Sequence, residues 1–297
     1  MSAGAPEGLL VVDKPTGLTS HDVVARVRRL AGTRRVGHAG TLDPLATGVL
    51  VLGVGRATRL LGHLALRDKE YLATIRLGVS TVTDDAQGEV LRERDASTVS
   101  DAALLEAMRR LSGELTQIPS AVSAIKIDGV RSYARVRSGE QVVLAGRPVT
   151  VSRFALLRRR GDDVEVSVCC STGTYVRALA RDLGEALDVG AHLTALRRTR
   201  VGPYRLTQAS TLPELAELTP DRLPIIGLAE AVGASFPRRE LEPDETREIR
   251  YGRRLPPTGV SGVHGAFAST GELLALIEDR DGAARPLVVF APATTAN

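Results

Sequence analysis

The sequence of 297 residues has few of the features that mark membrane, secreted or metal-binding proteins. It contains two cysteines, two methionines and no tryptophan, and aromatic residues make up only 3% of the chain. The adjacent Cys169 and Cys170 exclude a paired zinc motif and disfavour a mutual disulfide. No apolar run approaches the roughly 18–20 residues that span a bilayer, and the N-terminal segment lacks the basic start of a signal peptide. We therefore expect a cytoplasmic globular protein that does not associate with membranes.

Motifs for metal and nucleotide chemistry are also missing. The histidines show no metal-ligand spacing, and no Walker-type glycine loop occurs. The segment GVGRATR begins like a dinucleotide fingerprint but has Thr58 at its third glycine position. The S-x-x-K match that ends at Lys126 lacks the companion motifs of serine acyl transferases, so we interpret it as a strand whose lysine meets phosphate. We expect no metal site and no nucleotide hydrolysis.

Positive charge is in modest excess and unevenly distributed. Lysine and arginine total 39 against 35 acidic residues, which gives a net charge of +4 and a pI near 9.4. Between residues 13 and 59, eight basic residues face three acidic ones. This balance permits a polyanionic partner such as nucleic acid without requiring one.

The apolar patterns predict an α+β fold. The segment GLLVVDKP has the pattern of a short strand, TSHDVVARVRRLAG that of a capped helix, and KEYLATIRLG alternates so that Tyr71 and Ile75 share one face. Strands and helices follow one another irregularly, which argues against a doubly wound parallel sheet. After residues 225–237 the pattern changes to a short helix and three short strands. We therefore predict a catalytic domain over residues 1–230 and a small, mostly β domain over residues 231–297.

One carboxylate stands alone in the stretch RRVGHAGTLDPLATGVLVLGVGRATR. Asp43 precedes a proline, which holds it in an extended or turn conformation, and small residues around it allow a bulky ligand to approach the backbone. From these residues alone, an aspartate in such a loop is usually a turn former and less often a reactive group.

This stretch resembles the hallmark motif of the TruB family of tRNA pseudouridine synthases. The blocks VVDKPTGLTSHDVV, KEYLATIRLG, SAIKIDGVRSYARVRSGE, CSTGTYVRALARDLGEAL and LTALRRTRVGPYRL resemble further family motifs in the family's order, over about residues 8–205. The resemblance implies a mixed, mainly antiparallel central sheet with flanking helices and a small C-terminal domain like the PUA fold. It also implies isomerisation of uridine-55, in the T arm of tRNA, without any cofactor.

The resemblance also assigns residues to this reaction. It makes Asp43 the catalytic carboxylate and Arg177 the cation that keeps it ionised. Tyr71 would stack on the flipped base and assist loss of the C5 proton, while Tyr175 would lie beside the Asp–Arg pair. Sequence alone leaves open whether the carboxylate attacks the sugar or base as a nucleophile or removes the C2′ proton.

The same resemblance predicts how the RNA is held. His38 matches the histidine that helps to extract the base from the folded arm. Basic residues would contact phosphates with little base specificity. These are Lys14, Arg34, Arg35, Lys126, Arg135, Arg137, Arg197 and Arg198.

The chain departs from the family pattern at residues 118–124, where IPSAVSA replaces the common PPxYSA. This change puts local RNA contacts in doubt but leaves the reacting residues intact. We expect a monomer that acts on free tRNA without an obligate protein partner. Two alternatives are a tRNA-binding and folding factor with secondary catalysis and a dyskerin-like subunit of a guide-RNA particle.

Overall fold

The computed structural model describes residues 6–121, 126–127, 130–131 and 144–292. These residues form a 10-stranded sheet and a 4-stranded sheet, with two further 2-stranded sheets. The strands are, in chain order, β1 (Gly8–Lys14), β2 (Val36–His38), β3 (Thr47–Val54), β4 (Lys69–Leu77), β5 (Val79–Thr81), β6 (Val90–Glu93), β7 (Gly113–Gln117), β8 (Lys126–Ile127), β9 (Val130–Arg131), β10 (Arg147–Arg160), β11 (Asp163–Cys170), β12 (Ala191–Val201), β13 (Tyr204–Arg205), β14 (Ser210–Thr211), β15 (Arg238–Leu241), β16 (Val263–Ala268), β17 (Leu273–Arg280) and β18 (Ala283–Val289).

Helices flank these sheets. They are α1 (Ser20–Leu30), α2 (Leu61–Ala65), α3 (Asp101–Arg110), α4 (Val176–Ala186), α5 (Leu212–Ala216), α6 (Leu228–Ser235) and α7 (Pro243–Arg250), with 3₁₀ turns at Gly55–Leu60, Leu206–Gln208 and Pro220–Arg222. In the described part of the chain, a helix of the length and apolarity that a membrane span requires does not occur.

The large sheet has the strand order β14-β1-β3-β12-β4-β11-β10-β7, with β2 and β13 attached to β3 and β12. The β1–β14 and β3–β12 pairs are parallel, and the other pairs are antiparallel. The predicted α+β class and the mainly antiparallel mixed sheet are therefore confirmed.

The two inner strands β1 and β3 are apolar on both faces because each face is covered. Leu10 and Leu50 pack into the main core with helix α1, whereas Leu9 and Val49 belong to a second core that includes Phe267 of the C-terminal sheet. Complete burial of such a side chain contributes about 1.5–3 kcal/mol. This two-sided burial fixes the position of the loop that joins β2 to β3.

The C-terminal sheet has the order β15-β16-β17-β18. Two arginines of the 3₁₀ turn after β3 bind its end: Arg56 Nη1 donates to Phe290 O at 2.7 Å, and Arg59 Nη1 donates to Val289 O at 2.8 Å. The predicted strands of this region are present as β16, β17 and β18. The division into domains near residue 230 stays a prediction, because α6 and this sheet share the second core with β1 and β3.

Gly48 is required where β3 meets β12. Its φ is +99°, and a Cβ atom there would lie 2.2 Å from the carbonyl oxygen of Arg198. We predict that Gly48→Ala lowers the free energy of unfolding by about 2 kcal/mol or more, because it adds backbone strain and a steric clash. Urea unfolding measures the change.

Gly62→Ala is the matched control. A Cβ atom at Gly62, within α2, would meet nothing within 4 Å. Alanine favours a helix over glycine by about 0.5–1 kcal/mol, so this variant should be neutral or more stable. Equal stability of Gly48→Ala and the wild type would contradict the proposed clash.

Candidate active site

The loop between β2 and β3 presents Asp43 and is fixed from several sides. Ser20, the first residue of α1, donates from Oγ to the Leu42 carbonyl at 3.1 Å and accepts from the Leu42 amide at 2.8 Å. The Pro44 carbonyl accepts from the amide of Gly17 at 2.8 Å. Residues at and just before the start of α1 thus hold both neighbours of Asp43, and the carboxylate has a defined position before any ligand arrives.

Buried cations support the same loop from below. Arg198 is 1% exposed and donates to Val49 O at 2.7 Å and to Gly40 O at 3.0 Å. The Lys14 ammonium is fully buried and donates to Leu18 O at 2.6 Å. The prediction that Lys14 and Arg198 contact RNA phosphates is therefore corrected: both side chains are closed off from solvent and bonded to backbone carbonyls.

Arg177 and Asp43 form an ion pair in which the two partners differ in exposure. Arg177 Nε donates to Asp43 Oδ2 at 2.9 Å, and Arg177 Nη1 donates to Thr83 O at 2.8 Å. The side chain of Arg177 is 5% exposed, while that of Asp43 is 40% exposed. The cation is thus part of the protein interior, and the carboxylate presents its free edge to a ligand.

Asp85 is a further member of this cluster that sequence reasoning did not select. Its Oδ2 lies 3.6 Å from Arg177 Nε, and its Oδ1 accepts from Thr83 Oγ1 at 2.5 Å and from Gln87 N at 3.0 Å. Arg177 therefore lies between two carboxylates. The acidic segment TVTDD was the available signal, but it did not identify which of its two buried aspartates faces Arg177.

A cavity of about 270 Å³ opens beside Asp43 and is lined by Tyr71, Tyr175 and Arg177. Tyr71 is 7% exposed, and burial raises the pKa of its phenol while the nearby Arg198 opposes the shift. The phenol is therefore protonated at neutral pH. The structure brings together all four residues that the sequence assigned to the reaction.

A larger cavity of about 480 Å³ lies on the other face of the sheet. Leu72 and Thr74, which alternate with Tyr71 along β4, line it together with aliphatic residues such as Leu157. Asp43, Tyr71 and Arg177 line the smaller cavity, which makes it the candidate active site.

Tyr175 is the N-cap residue of α4 and is held by a side chain from β7. Gln117 donates from Nε2 to Tyr175 O at 3.1 Å and accepts from Tyr175 N at 2.8 Å. The guanidinium of Arg147 lies 4.8 Å from the centre of the Tyr175 ring. Neither Gln117 nor Arg147 was selected from the sequence, because both lie far from the motifs that carry Asp43 and Arg177.

His38 ends β2, next to the loop of Asp43. Burial lowers the pKa of His38 to about 4, and the charges of His21 and Arg198 act in the same direction. Its ring packs edge-on against His21, with the ring centres 5.4 Å apart. At neutral pH the residue is thus an uncharged, half-buried aromatic ring.

The other predicted RNA contacts are placed differently. Arg34 and Arg35 are exposed just before β2. Arg197 pairs with Asp13 of β1 at 2.6 Å and also donates to Thr47 of β3, so it links these two strands. Its side chain is 40% exposed. Arg135, Arg137 and the side chain of Lys126 lie outside the described residues.

Comparisons with known proteins agree on one family. Family models described as "TruB family pseudouridylate synthase (N terminal domain)", "tRNA pseudouridylate synthase B C-terminal domain" and "tRNA Pseudouridine synthase II, C terminal" match residues 28–176, 177–222 and 236–291. The tRNA pseudouridine synthase B of Thermobifida fusca (strain YX) is 58% identical over 294 residues, which covers 96% of this chain and 99% of that protein.

A second relative and one solved structure give the same result. The tRNA pseudouridine synthase B of Streptomyces coelicolor is 56% identical over 298 residues, covering 96% of this chain and 97% of that protein. The crystal structure of a Cbf5–Nop10–Gar1 complex contains a chain that is 26% identical, with a TM-score of 0.74, covering 96% of this chain and 85% of its own.

The lowered pKa of His38 makes stability depend on pH in a defined window. The ordinary pKa of histidine is 6.5, and in the folded protein that of His38 is about 4. Between these values the unfolded chain binds a proton that the folded chain does not, so His38 makes stability fall as pH drops from about 6.5 to 4. His38→Gln should remove that part of the slope.

Urea unfolding at half-unit pH steps measures this effect in both proteins, and the NMR titration of the imidazole gives its pKa directly. The two proteins should differ below pH 6.5 and have parallel stability curves above it. An imidazole that titrates near 6.5 in the folded protein would contradict the assigned burial.

Proposed function

The chain belongs to the TruB family of pseudouridylate synthases and is an isomerase that forms pseudouridine in tRNA, and from this premise we propose that it acts on uridine-55 of the T arm with Asp43 as its catalytic carboxylate. The observation that carries this proposal is the Asp43–Arg177 pair, 2.9 Å apart, at the cavity that Tyr71 and Tyr175 also line. A half-exposed carboxylate held by a buried cation is ready to react with a base placed in that cavity.

The reaction breaks the bond between ribose C1′ and N1, joins C1′ to C5, and moves the C5 proton away while N1 gains one. Atoms and electrons balance within the substrate, so neither a redox partner nor an energy source is needed. Asp43 either attacks the nucleotide or removes the C2′ proton. Both routes require an ionised carboxylate, which Arg177 supports through a charge-assisted hydrogen bond.

Tyr71 supports the base mainly by packing. Its raised pKa disfavours a phenolate, so the phenol is a weak acceptor for the C5 proton. We therefore propose that the ring forms a face against which uracil stacks. If Tyr71 takes part in proton transfer, its phenol oxygen must release its own proton when it accepts the C5 proton.

Extraction of the target base is assigned to His38. A neutral imidazole can replace a base in an RNA stack without the energetic cost of burying a charge, and the lowered pKa keeps His38 neutral. Arg34 and Arg35 lie on the surface just before it and supply positive charge for the phosphates. We thus assign contact with the phosphate backbone to Arg34 and Arg35 and extraction of the base to His38.

We also propose that the chain acts alone, as a cytoplasmic monomer on free tRNA. The bacterial relatives are named as tRNA enzymes, whereas the structural neighbour at 26% identity belongs to a complex with Nop10 and Gar1. The purified chain should convert an unmodified tRNA transcript without a guide RNA, a protein partner or a divalent ion beyond what tRNA folding needs. Mapping of pseudouridine by selective chemical labelling reports the modified position.

Asp43→Asn tests the catalytic assignment. The amide keeps the volume of the side chain but removes its charge, so single-turnover pseudouridine formation should fall at least about 1,000-fold while tRNA binding is nearly kept. Asp68→Asn is the control, because Asp68 pairs with Arg200 away from the cavity lining. Substantial turnover by Asp43→Asn would refute the assignment. If Asp43→Asn still helps tRNA to refold, the role of this protein in binding and folding tRNA is separate from catalysis.

Arg177→Lys tests the partner of the same pair. A lysine keeps one positive charge but cannot donate to Asp43 and to Thr83 O with the fixed fork of a guanidinium. We expect a fall in rate of about 100-fold or more with little change in tRNA affinity. A rate near that of the wild type would remove Arg177 from the reaction.

The exposed pair Arg34 and Arg35 should set part of the salt dependence of binding. Replacing both with glutamine removes up to two phosphate contacts, so the log–log slope of affinity against salt should flatten by about 1–2 units. His38→Ala should leave that slope unchanged and lower the single-turnover rate. Salt-titrated binding and kinetics on T-arm hairpins separate the two effects.

The matched control is the double glutamine variant of Arg109 and Arg110. These arginines pair with Glu106 on helix α3, so the variant removes the same charge from another surface. A slope that flattens equally in both double variants would show that net charge, and not contact at Arg34 and Arg35, causes the effect.

A further inference from the structure

We propose that Arg147 binds a phosphate that flanks the target uridine. This inference rests on the function proposed above and adds a substrate contact to the same cavity. Arg147 starts β10 and lines the cavity together with Asp43 and Tyr175.

The other cations of the cavity already use their hydrogen-bond donors on the protein. Arg177 donates to Asp43 and to a loop carbonyl. Lys69 donates from Nζ to Ala65 O at 2.9 Å and to Arg67 O at 2.6 Å, and Arg198 donates to carbonyls of the loop before β3 and of β3 itself. These groups contribute a positive field but have few donors left for a ligand.

Arg147 differs from these cations. Its Nε and Nη2 atoms are buried and have no hydrogen-bond partner among the residues that the structure describes. Buried polar groups are nearly always paired, because an unpaired donor has lost its water without gaining a partner. The free protein thus already bears the cost of removing water from these two donors, and an acceptor that binds them offsets that cost.

The unpaired atoms also have the right geometry for an anion. Nε and Nη2 form one edge of the guanidinium, where two N–H groups point in parallel and match two oxygens of a phosphate. The phosphates on either side of the uridine are the fully charged groups of the substrate. Uracil carbonyls are neutral, and the base must detach and turn during the reaction. Two fixed donors therefore suit a phosphate of the RNA backbone better than they suit the base.

Two contacts place Arg147 beside Tyr175, which lines the same cavity as Asp43. The guanidinium stacks 4.8 Å above the Tyr175 ring, and Arg147 pairs in register with Gln117, which binds both backbone groups of Tyr175. Arg147 as a whole is partly exposed and lines the cavity, and a rotation of its stem is needed to present the buried edge to a phosphate. A phosphate bound there would fix the ribose above Asp43.

A mutant cycle between protein and RNA tests this contact. T-arm hairpins carry a neutral amide linkage in place of the phosphodiester on the 5′ side or the 3′ side of the target uridine. The proteins are the wild type, Arg147→Met, which keeps an unbranched stem on the Tyr175 ring, and Arg153→Met. Arg153 lies on the same strand, bonds Ser167 and does not line the cavity.

Single-turnover efficiency is the first readout. Arg147→Met should lose about 10- to 100-fold on the all-phosphate hairpin, and the wild type should lose a similar factor on one of the amide hairpins. Arg147→Met acting on that amide hairpin should lose little more single-turnover efficiency than either change causes alone. Arg153→Met should retain the full amide penalty. If the Arg147→Met penalty is the same on every hairpin, or is absent, the phosphate contact is refuted.

The same cycle is measured as binding affinity with Asp43→Asn in every protein. Binding requires no turnover, so a coupling in affinity would stand even if the wild type formed no pseudouridine, which would instead refute the proposed function. Thermal unfolding confirms that each variant folds. If Arg147→Met does not fold, Arg147→Lys provides the cycle, because it keeps the charge and lacks the two-donor edge.

Discussion

The ion pair between Asp43 and Arg177 is the constraint on which the site depends. Its cation is buried and its anion is 40% exposed, so the pair is not a surface salt bridge of small value. A buried guanidinium needs compensation, which Asp43, Asp85 and the Thr83 carbonyl supply. The position of the Asp43 carboxylate therefore follows from the electrostatic needs of Arg177 and from the elements that bring Asp85 and Thr83 to it.

The loop that carries Asp43 depends in turn on buried cations. Lys14 and Lys69 lie below it, and burial, with the charge of Arg198 acting in the same direction, lowers the pKa of each to about 8. Both lysines remain mostly charged at neutral pH. The protein thus concentrates positive charge beneath the Asp43 carboxylate, which the proposed reaction requires to be ionised. Hydrogen bonds from Lys14, Lys69 and Arg198 to backbone carbonyls hold this charge in place.

Local patterns predicted the elements well but not which charges are buried. Helix α1 begins at Ser20 with a capping box between Thr19 and Asp22, and β4 buries alternate residues, as the sequence indicates. The interpretation of Arg197 and Arg198 as one phosphate-binding pair was wrong for Arg198. Adjacent strand residues point to opposite faces of a sheet, so one of the pair turns into the interior.

Residues that act through tertiary contact could not be selected from local patterns. Gln117, Arg147 and Asp85 reach the site from a strand end, a strand start and a loop, and long-range pairing alone brings them together. The resemblance to a family identified Asp43, Tyr71 and Arg177 because it carries information about three-dimensional arrangement that one sequence lacks. The roles of these residues in the reaction stay predictions.

The length of the motif around Asp43 has a physical explanation. Its first part forms the reactive loop, its middle forms β3, which is apolar on both faces, and its last arginines bind carbonyls at the end of the C-terminal sheet. Movement of that sheet would therefore pull on the strand that directly follows the loop. Burial of β3 on both faces holds the Asp43 loop in place, and the proposed reaction depends on such positioning of the carboxylate against the nucleotide.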